Sequence, residues 1–257
     1  MGDEGRSGSL LIERHGPVAV VRLHRPARRN ALDGDTAARL GATLARLDRD
    51  PGVRAAVLTG TPPGFCAGSD LTELATLSLA GMVDHEAATG AVCRTIPRLG
   101  LPVLAAVEGF AMGGGFLLAV ACDVVFSAAD TVWRLPEVPF GWVPPWGLRA
   151  LIDRVGPAAA RRLVWNAEPV SPARLHRLGA VDEVTDPGRA EAAALRLAER
   201  LADLPAHAVA SVKQVLAAEL VGPAETLDAR ATARFGADCR TGAARAAIAR
   251  FDRRVAS

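Results

Sequence analysis

Lysine is nearly absent from this chain of 257 residues, because arginine supplies all but one of the 30 basic side chains and Lys213 is the exception. Acidic residues number 28, lie interleaved with the arginines and leave a net charge of +2. A chain without a run of like charge lacks the electrostatic footprint of a nucleic-acid partner. We therefore expect a solvated charged surface and no nucleic-acid binding.

Cysteine and histidine are scarce and scattered. The four cysteines form no C-x-x-C pair, and the five histidines form no H-x-x-x-H pair. These spacings argue against a disulfide framework and against a zinc motif, so we expect reduced thiols and no metal. Phosphate-loop and dinucleotide fingerprints are also absent, and no cofactor such as ATP or NAD is expected.

Long hydrophobic runs are missing too. The longest apolar stretches, residues 102–107 and 116–122, are shorter than a membrane span, and Glu108 and a run of glycines separate them. Residues 1–9 are polar and carry no apolar core of a signal peptide. We expect a flexible N-terminus over residues 1–9, no membrane contact and a cytoplasmic protein.

Glycine-rich motifs are what the chain does have. Residues 64–71 read G-F-C-A-G-S-D-L, and residues 109–118 read G-F-A-M-G-G-G-F-L-L. Each leads into an apolar helical pattern, and glycines at a helix start leave backbone N–H groups accessible to a ligand. Two such donors on one oxygen would form an oxyanion hole, whereas either motif alone is more often a tight turn or close packing.

Periodicity predicts alternating strands and helices, an α/β fold with helices covering strands. The predicted strands are residues 10–13, 18–23, 53–58, 102–107, 124–128 and 180–184. The first predicted helix begins at about residue 37, and Asp35 or Thr36 is predicted to cap it. The other predicted helices are residues 79–96, 115–122, 157–165, 172–178, 189–204, 206–220, 224–235 and 243–254.

Six segments in order resemble the crotonase superfamily, also called the enoyl-CoA hydratase/isomerase family, over nearly the whole chain. The segments are R-P-A-R-R-N-A-L at 25–32, A-A-V-L-T-G at 55–60, F-C-A-G-S-D-L at 65–71, P-V-L-A-A-V-E-G-F-A-M-G-G-G at 102–115, A-C-D-V-V at 121–125 and L-P-E at 135–137. The resemblance implies a spiral of repeated β-β-α units over residues 10–190. It also implies a C-terminal helical region over residues 191–257 that assembles a homotrimer or hexamer and closes the coenzyme A site.

The same resemblance implies an acyl-CoA substrate and assigns catalytic groups. The backbone N–H groups of Ser69 and Gly114 would bind the thioester oxygen, and Glu137 would carry the proton. A nucleophilic role for the Ser69 hydroxyl is disfavoured because G-x-S-x-G is absent. Asp70 is predicted to cap the helix that follows it.

One departure from the family pattern bears on the reaction. Hydratases of the family usually carry a second glutamate after the glycines, and Leu117 stands at that position here. A single carboxylate suffices to move a double bond, so Leu117 favours isomerase-like chemistry. Two alternatives stay open: a hydratase in which Glu137 works alone, and a non-catalytic acyl-CoA-binding or assembly subunit.

The remaining predicted contacts concern the substrate. Bulky residues in G-W-V-P-P-W-G-L at 141–148 would reshape the acyl pocket, or else pack in the core. The resemblance places the loop at residues 25–30 near the nucleotide of coenzyme A. Arg28 and Arg29 of this loop suit phosphate, and solvated surface arginines are the alternative. Coenzyme A enters as part of the substrate and not as a cofactor. The predicted substrate-binding residues are Arg28, Ala67, Gly68, Asp70, Leu71, Gly113, Leu117, Trp142 and Trp146.

Overall fold

A parallel sheet with helices on both faces organises the computed structural model, which describes residues 8–252 except for the side chains of residues 218–221 and 252. Eight strands are formed: β1 Leu10–His15, β2 Val18–Leu23, β3 Ala55–Gly60, β4 Val103–Val107, β5 Phe110–Met112, β6 Val124–Ala128, β7 Val132–Arg134 and β8 Glu183–Thr185. The large sheet has the order β1-β2-β3-β4-β6-β8, and β5 pairs with β7 in a second sheet. Only the β1–β2 hairpin is antiparallel within these sheets.

Ten α-helices accompany the strands in the described residues: α1 Gly34–Arg49, α2 Leu71–Thr76, α3 Leu79–Thr95, α4 Gly114–Val120, α5 Glu137–Phe140, α6 Leu148–Asn166, α7 Pro172–Leu178, α8 Ala190–Ala202, α9 Ala206–Asp238 and α10 Gly242–Asp252. Two consecutive β-β-α units are visible, β4-β5-α4 and β6-β7-α5. The helices α4 and α5 begin close to each other, because the strands β5 and β7 that precede them lie side by side.

The two faces of the sheet bury alternate residues of each strand, as the period of two requires. On β2, Val18 and Val20 pack with the alanines of α8, whereas Ala19 and Val21 belong to the larger core beneath α1. Alanines along α8 allow that helix to lie close to the sheet. The predicted α/β layering follows from this alternation.

The boundaries of three predicted helices were wrong, two of them for a local reason. Asp33 caps α1, instead of Asp35 or Thr36, because its carboxylate accepts from the Thr36 N–H and also pairs with Arg25 at 2.7 Å. The helix predicted from residue 157 is the second part of α6, which bends at Gly156 where φ is +73°.

The third correction concerns α9, where the sequence predicted two helices separated near Pro223. One helix runs from Ala206 to Asp238 through this proline. Proline costs a helix one hydrogen bond, but α9 packs along both α3 and α6, and this packing keeps the helix continuous.

Two predictions reach beyond the described part of the chain. Residues 1–7 of the predicted flexible N-terminus, and residues 253–254 of the last predicted helix, lie outside the described residues. Within the described residues, no helix combines the length and apolar character that crossing a membrane requires.

Candidate active site

The first glycine motif forms a loop between β3 and α2 that backbone hydrogen bonds hold from two sides. The Phe65 N–H donates to the Phe110 carbonyl, and the Ala67 N–H donates to the Arg29 carbonyl. The Asn30 side chain, which is buried, donates to the carbonyl oxygens of Thr61 and Gly64. These contacts fix the loop before the polypeptide reaches Ser69.

The second glycine motif brings the start of α4 against this loop. Gly113 has a φ of +53° and precedes the first residue of α4, Gly114. A Cβ atom on Gly68, where φ is +92°, would lie only 2.9 Å from the Gly114 nitrogen and from the Met112 carbonyl oxygen. Only glycine fits at position 68, and the close approach places the two motifs side by side.

Ser69 and Gly114 carry backbone N–H groups without an acceptor among the described residues. Their neighbours are satisfied: the Asp70 N–H donates to Leu32, and the Gly113 N–H donates to Arg134. Both Ser69 and Gly114 line one cavity of about 450 Å³. Unpaired N–H donors in a cavity are suited to bind an oxygen that acquires negative charge.

Glu137 enters the same cavity from the first position of α5, directly after Pro136. It is 6% exposed, and its Oε2 atom is buried without a hydrogen-bond partner among the described residues. Oε1 lies 3.1 Å from the point where a Cβ on Gly113 would stand. The carboxyl group therefore lies against the glycines that supply the Gly114 N–H.

The environment of Glu137 favours its neutral form. Burial raises the pKa of this carboxyl group to about 8. A hydrogen bond from its own backbone lowers the pKa by less, and the nearby Glu86 raises it by a still smaller amount. A carboxyl group with a pKa near neutrality can both accept and return a proton under working conditions.

Glu86 is a buried carboxylate of this cavity that sequence reasoning missed. It lies on α3, is 2% exposed, and its Oε2 accepts from Trp146 Nε1 at 2.7 Å and from Ser69 Oγ at 3.0 Å. The signal was present in the sequence: Met82, Glu86 and Gly90 recur with helical spacing and share the buried side of α3. A carboxylate on such a face requires partners inside the protein.

Trp142 and Trp146 belong to the segment 141–148, whose bulky residues were expected either to reshape the acyl pocket or to pack in the core. Trp146 is 1% exposed, and a Cβ on Gly114 would lie 2.6 Å from its Cζ2 atom. Trp142 packs against Phe140 and Phe235, with ring centroids 5.3 and 6.0 Å away. Both line the cavity, so the two expectations, core packing and access to a ligand, are compatible.

Leu117 is 1% exposed and contacts the loop before α6, since a Cβ on Gly147 would lie 2.8 Å from the Leu117 Cβ. It supplies an apolar wall of the cavity at the position where hydratases of the family usually carry the second glutamate.

The edge of the cavity holds Arg28 and Asp70. Arg28 is exposed and places Nη1 3.4 Å from Thr72 Oγ1. Asp70 caps α2 as predicted, because its Oδ1 accepts from the N–H groups of Thr72 and Glu73, while its Oδ2 accepts from Arg25 at 2.9 Å. These bonds occupy the Asp70 carboxylate, so its contact with substrate stays a prediction.

All the residues predicted for the site line this one cavity. They are Arg28, Ala67, Gly68, Ser69, Asp70, Leu71, Gly113, Gly114, Leu117, Glu137, Trp142 and Trp146. No group of three or more His, Cys, Asp or Glu side chains that could hold a metal ion occurs within residues 8–252 where side chains are described. The four cysteines, all in the described region, are buried free thiols.

Comparisons with known proteins agree on one family. Residues 13–241 match the family described as Enoyl-CoA hydratase/isomerase. A short-chain-enoyl-CoA hydratase of Clostridium acetobutylicum is 30% identical over 210 residues, covering 81% of this chain and 80% of that protein. A 2,3-dehydroadipyl-CoA hydratase of Escherichia coli is 31% identical over 208 residues, covering 80% and 81%.

Solved structures show the same likeness. An enoyl-CoA hydratase/isomerase from Mycobacterium paratuberculosis superposes with a TM-score of 0.84 at 26% identity, and the match covers 94% of this chain and 98% of that one.

Proposed function

This chain belongs to the enoyl-CoA hydratase/isomerase family, the crotonase superfamily, and from that membership we propose that it stabilises the enolate of an acyl-CoA thioester with two backbone N–H groups and moves the proton with Glu137. The observation that carries the proposal is the pair of unpartnered N–H groups, at Ser69 and Gly114, in the cavity that also buries Glu137. The chain is an acyl-CoA enzyme of this family; the reaction and the residue roles are our proposal.

Enolate formation needs both the two N–H donors and a base. Loss of an α-proton places negative charge on the thioester oxygen, and each N–H donor aimed at that oxygen is worth about 3 kcal/mol in the transition state. The base must stand within hydrogen-bond reach of the α-carbon. Glu137 lies against Gly113 next to the Gly114 donor, and we expect it to come within that reach when the thioester oxygen binds between the loops.

Double-bond migration is the reaction that we propose first. The Glu137 carboxylate takes a proton from C2 of a 3-enoyl thioester, the C–H electrons form the dienolate, and the same carboxyl group returns the proton to C4. One proton carrier is sufficient for this sequence. An apolar Leu117 wall, buried at the second carboxylate position of the family's hydratases, supports it.

Water addition to a 2-enoyl thioester is the second candidate. The relatives that are 30% and 31% identical carry the names of hydratases. A further observation favours this candidate: Glu86 places a second buried glutamate in the cavity, besides the Asp70 carboxylate that caps α2.

The rate of migration should depend on pH through Glu137. Only its ionised form can take the α-proton, and with a pKa of about 8 about one tenth is ionised at pH 7. We expect kcat/KM for 3-enoyl-CoA to rise about tenfold per pH unit below pH 7 and to level off above pH 8 to 9. A pH profile that is flat from pH 6 to 9 would contradict the assignment of Glu137 as the base.

Arg28 is proposed to bind a phosphate of coenzyme A. Replacing Arg28 with Ala should raise KM for an acyl-CoA about five- to tenfold with little change in kcat, because an exposed charged contact is worth about 1 kcal/mol. The same change should not alter KM for an N-acetylcysteamine thioester, which has the acyl group but no phosphate. An equal rise in KM for both substrates would show that Arg28 acts through the protein and not on the nucleotide.

A further inference from the structure

Glu86 is fixed in the cavity wall by the same elements that present the two N–H donors. One of its partners is the hydroxyl group of Ser69, whose backbone N–H is the first donor, at 3.0 Å. The other is the indole N–H of Trp146, at 2.7 Å, and that ring lies directly on Gly114, the second donor. A single side chain therefore separates the Glu86 carboxylate from each donor.

The second oxygen of Glu86 lies near the imidazole ring of His85. His85 Nδ1 lies 3.7 Å from Glu86 Oε1, and His85 Nε2 lies 3.2 Å from Oε2 of Glu73. Burial lowers the pKa of His85, but its carboxylate neighbours Glu86 and Glu73 outweigh burial and raise the pKa overall. The raised pKa favours the cationic form of His85, which stands between Glu73 and Glu86 in a row of three side chains.

The row of Glu73, His85 and Glu86 also extends from the cavity to the protein surface. The side chain of Glu73 is 36% exposed, whereas those of His85 and Glu86 are 4% and 3% exposed. Glu73, His85 and Glu86 thus form a row between solvent and the cavity, with a hydrogen bond between Glu73 and His85 and a distance of 3.7 Å between His85 Nδ1 and Glu86 Oε1. A carboxylate that must release a proton after each turnover needs such a route.

The two glutamates of the cavity have opposite surroundings. Glu137 has a buried oxygen without a hydrogen-bond partner among the described residues, whereas Glu86 accepts two hydrogen bonds and lies 3.7 Å from His85 Nδ1. Paired carboxyl groups whose environments differ in this way divide the roles of acid and base.

We propose that Glu86, from α3, is the catalytic carboxylate that activates water in this cavity, in place of the glutamate that the glycine motif lacks at Leu117. This inference rests on the proposed enolate chemistry and extends it to water addition. Glu86 lies on α3, which none of the six segments that resemble the family includes.

The proposed step balances as follows. The water oxygen forms a bond to C3 of a 2-enoyl thioester while one water proton passes to the Glu86 carboxylate. The C2–C3 π pair shifts to form the enolate, whose oxygen the Ser69 and Gly114 N–H groups bind. The enolate then takes a proton at C2 from the Glu137 carboxyl group. Glu86 ends protonated and Glu137 ionised, and proton exchange with solvent restores both.

The experiment compares two reactions in the same variants. Glu86→Gln keeps the size and the hydrogen-bond acceptor of the side chain but cannot take a proton. Water addition to crotonyl-CoA should fall about 100-fold or more, while migration with 3-enoyl-CoA should fall less than about tenfold, since Glu137 carries it. The matched control is Asp84→Asn, the same chemical change at an exposed position of α3, which should alter neither rate.

Each outcome has a definite meaning. A selective loss of hydration in Glu86→Gln supports the proposal. An equal loss of both reactions overturns it and leaves Glu86 as a structural support of Trp146 and Ser69. Wild-type protein that migrates double bonds but adds no water overturns it as well, and leaves the proposed function intact. Wild-type protein that does neither, and exchanges no α-proton, contradicts the proposed function itself.

Discussion

Replacing Glu137 by Gln should lower the rate of double-bond migration by about 10³-fold or more. General acid–base catalysis by a positioned carboxyl group contributes about 10²- to 10⁴-fold, and Glu137 is the only proton carrier that we assign to migration. Gln keeps the size of the buried Glu137 side chain but cannot take or return the proton. The measurement is conversion of 3-enoyl-CoA followed by mass spectrometry.

The fold of this variant can be checked by its stability. Because burial raises the pKa of Glu137 from 4.5 to about 8, the folded wild-type protein holds this proton more tightly than the unfolded chain does. The associated stability is complete below about pH 4.5 and is lost as the pH rises towards 8. Gln is neutral throughout, so Glu137→Gln should gain stability over wild type with increasing pH, by an amount on the order of a few kcal/mol at pH 9.

The control for this prediction is Glu168→Gln, at an exposed position, which should leave both migration and stability unchanged. If Glu137→Gln were to keep more than about a tenth of the wild-type rate, Glu137 would not be the proton carrier.

Replacing Gly114 by Ala should lower kcat/KM about 10²- to 10³-fold, the usual cost of one lost oxyanion donor. The new Cβ would lie 2.6 and 2.7 Å from two ring atoms of Trp146, Cζ2 and Cη2. Because the Trp146 ring is fully buried, we expect the start of α4, which carries the Gly114 N–H, to shift instead. The measurement is steady-state migration of 3-enoyl-CoA.

Two further variants separate the clash from a general loss of structure. Gly242→Ala, where a Cβ would meet no atom within 4 Å, should leave the rate unchanged. Trp146→Phe removes the six-membered ring that carries Cζ2 and Cη2, so adding it to Gly114→Ala should recover part of the lost rate. Full activity in Gly114→Ala alone would contradict the assignment of this N–H as an oxyanion donor.

The sequence was sufficient to predict the crotonase-type fold, and the match to an enoyl-CoA hydratase/isomerase structure confirms it. The glycines made this possible because they report backbone contacts directly. Gly68 and Gly114 have no space for a side chain, and a residue type dictated by such contacts can be recognised without knowing the rest of the structure. The same holds for Asp70, whose cap depends on its immediate neighbours.

Glu86 could not be assigned in this way because its partners are distant along the chain. Ser69 is 17 residues away and Trp146 is 60 residues away, so no local pattern links the three. The continuous course of α9 through Pro223 has the same origin, since packing on α3 and α6 outweighs a local helix breaker. Such features depend on tertiary contacts, which one sequence does not display.

The most direct test of the enolate mechanism is α-proton exchange in a substrate that can undergo no other step. Butanoyl-CoA has no double bond, so neither migration nor hydration can occur, and incubation in deuterated water reports enolate formation alone. The account predicts incorporation of deuterium at C2 by the wild-type protein and its loss in Glu137→Gln. Binding of butanoyl-CoA without any exchange would show a cavity that holds acyl-CoA but does not form the enolate, and would contradict the account.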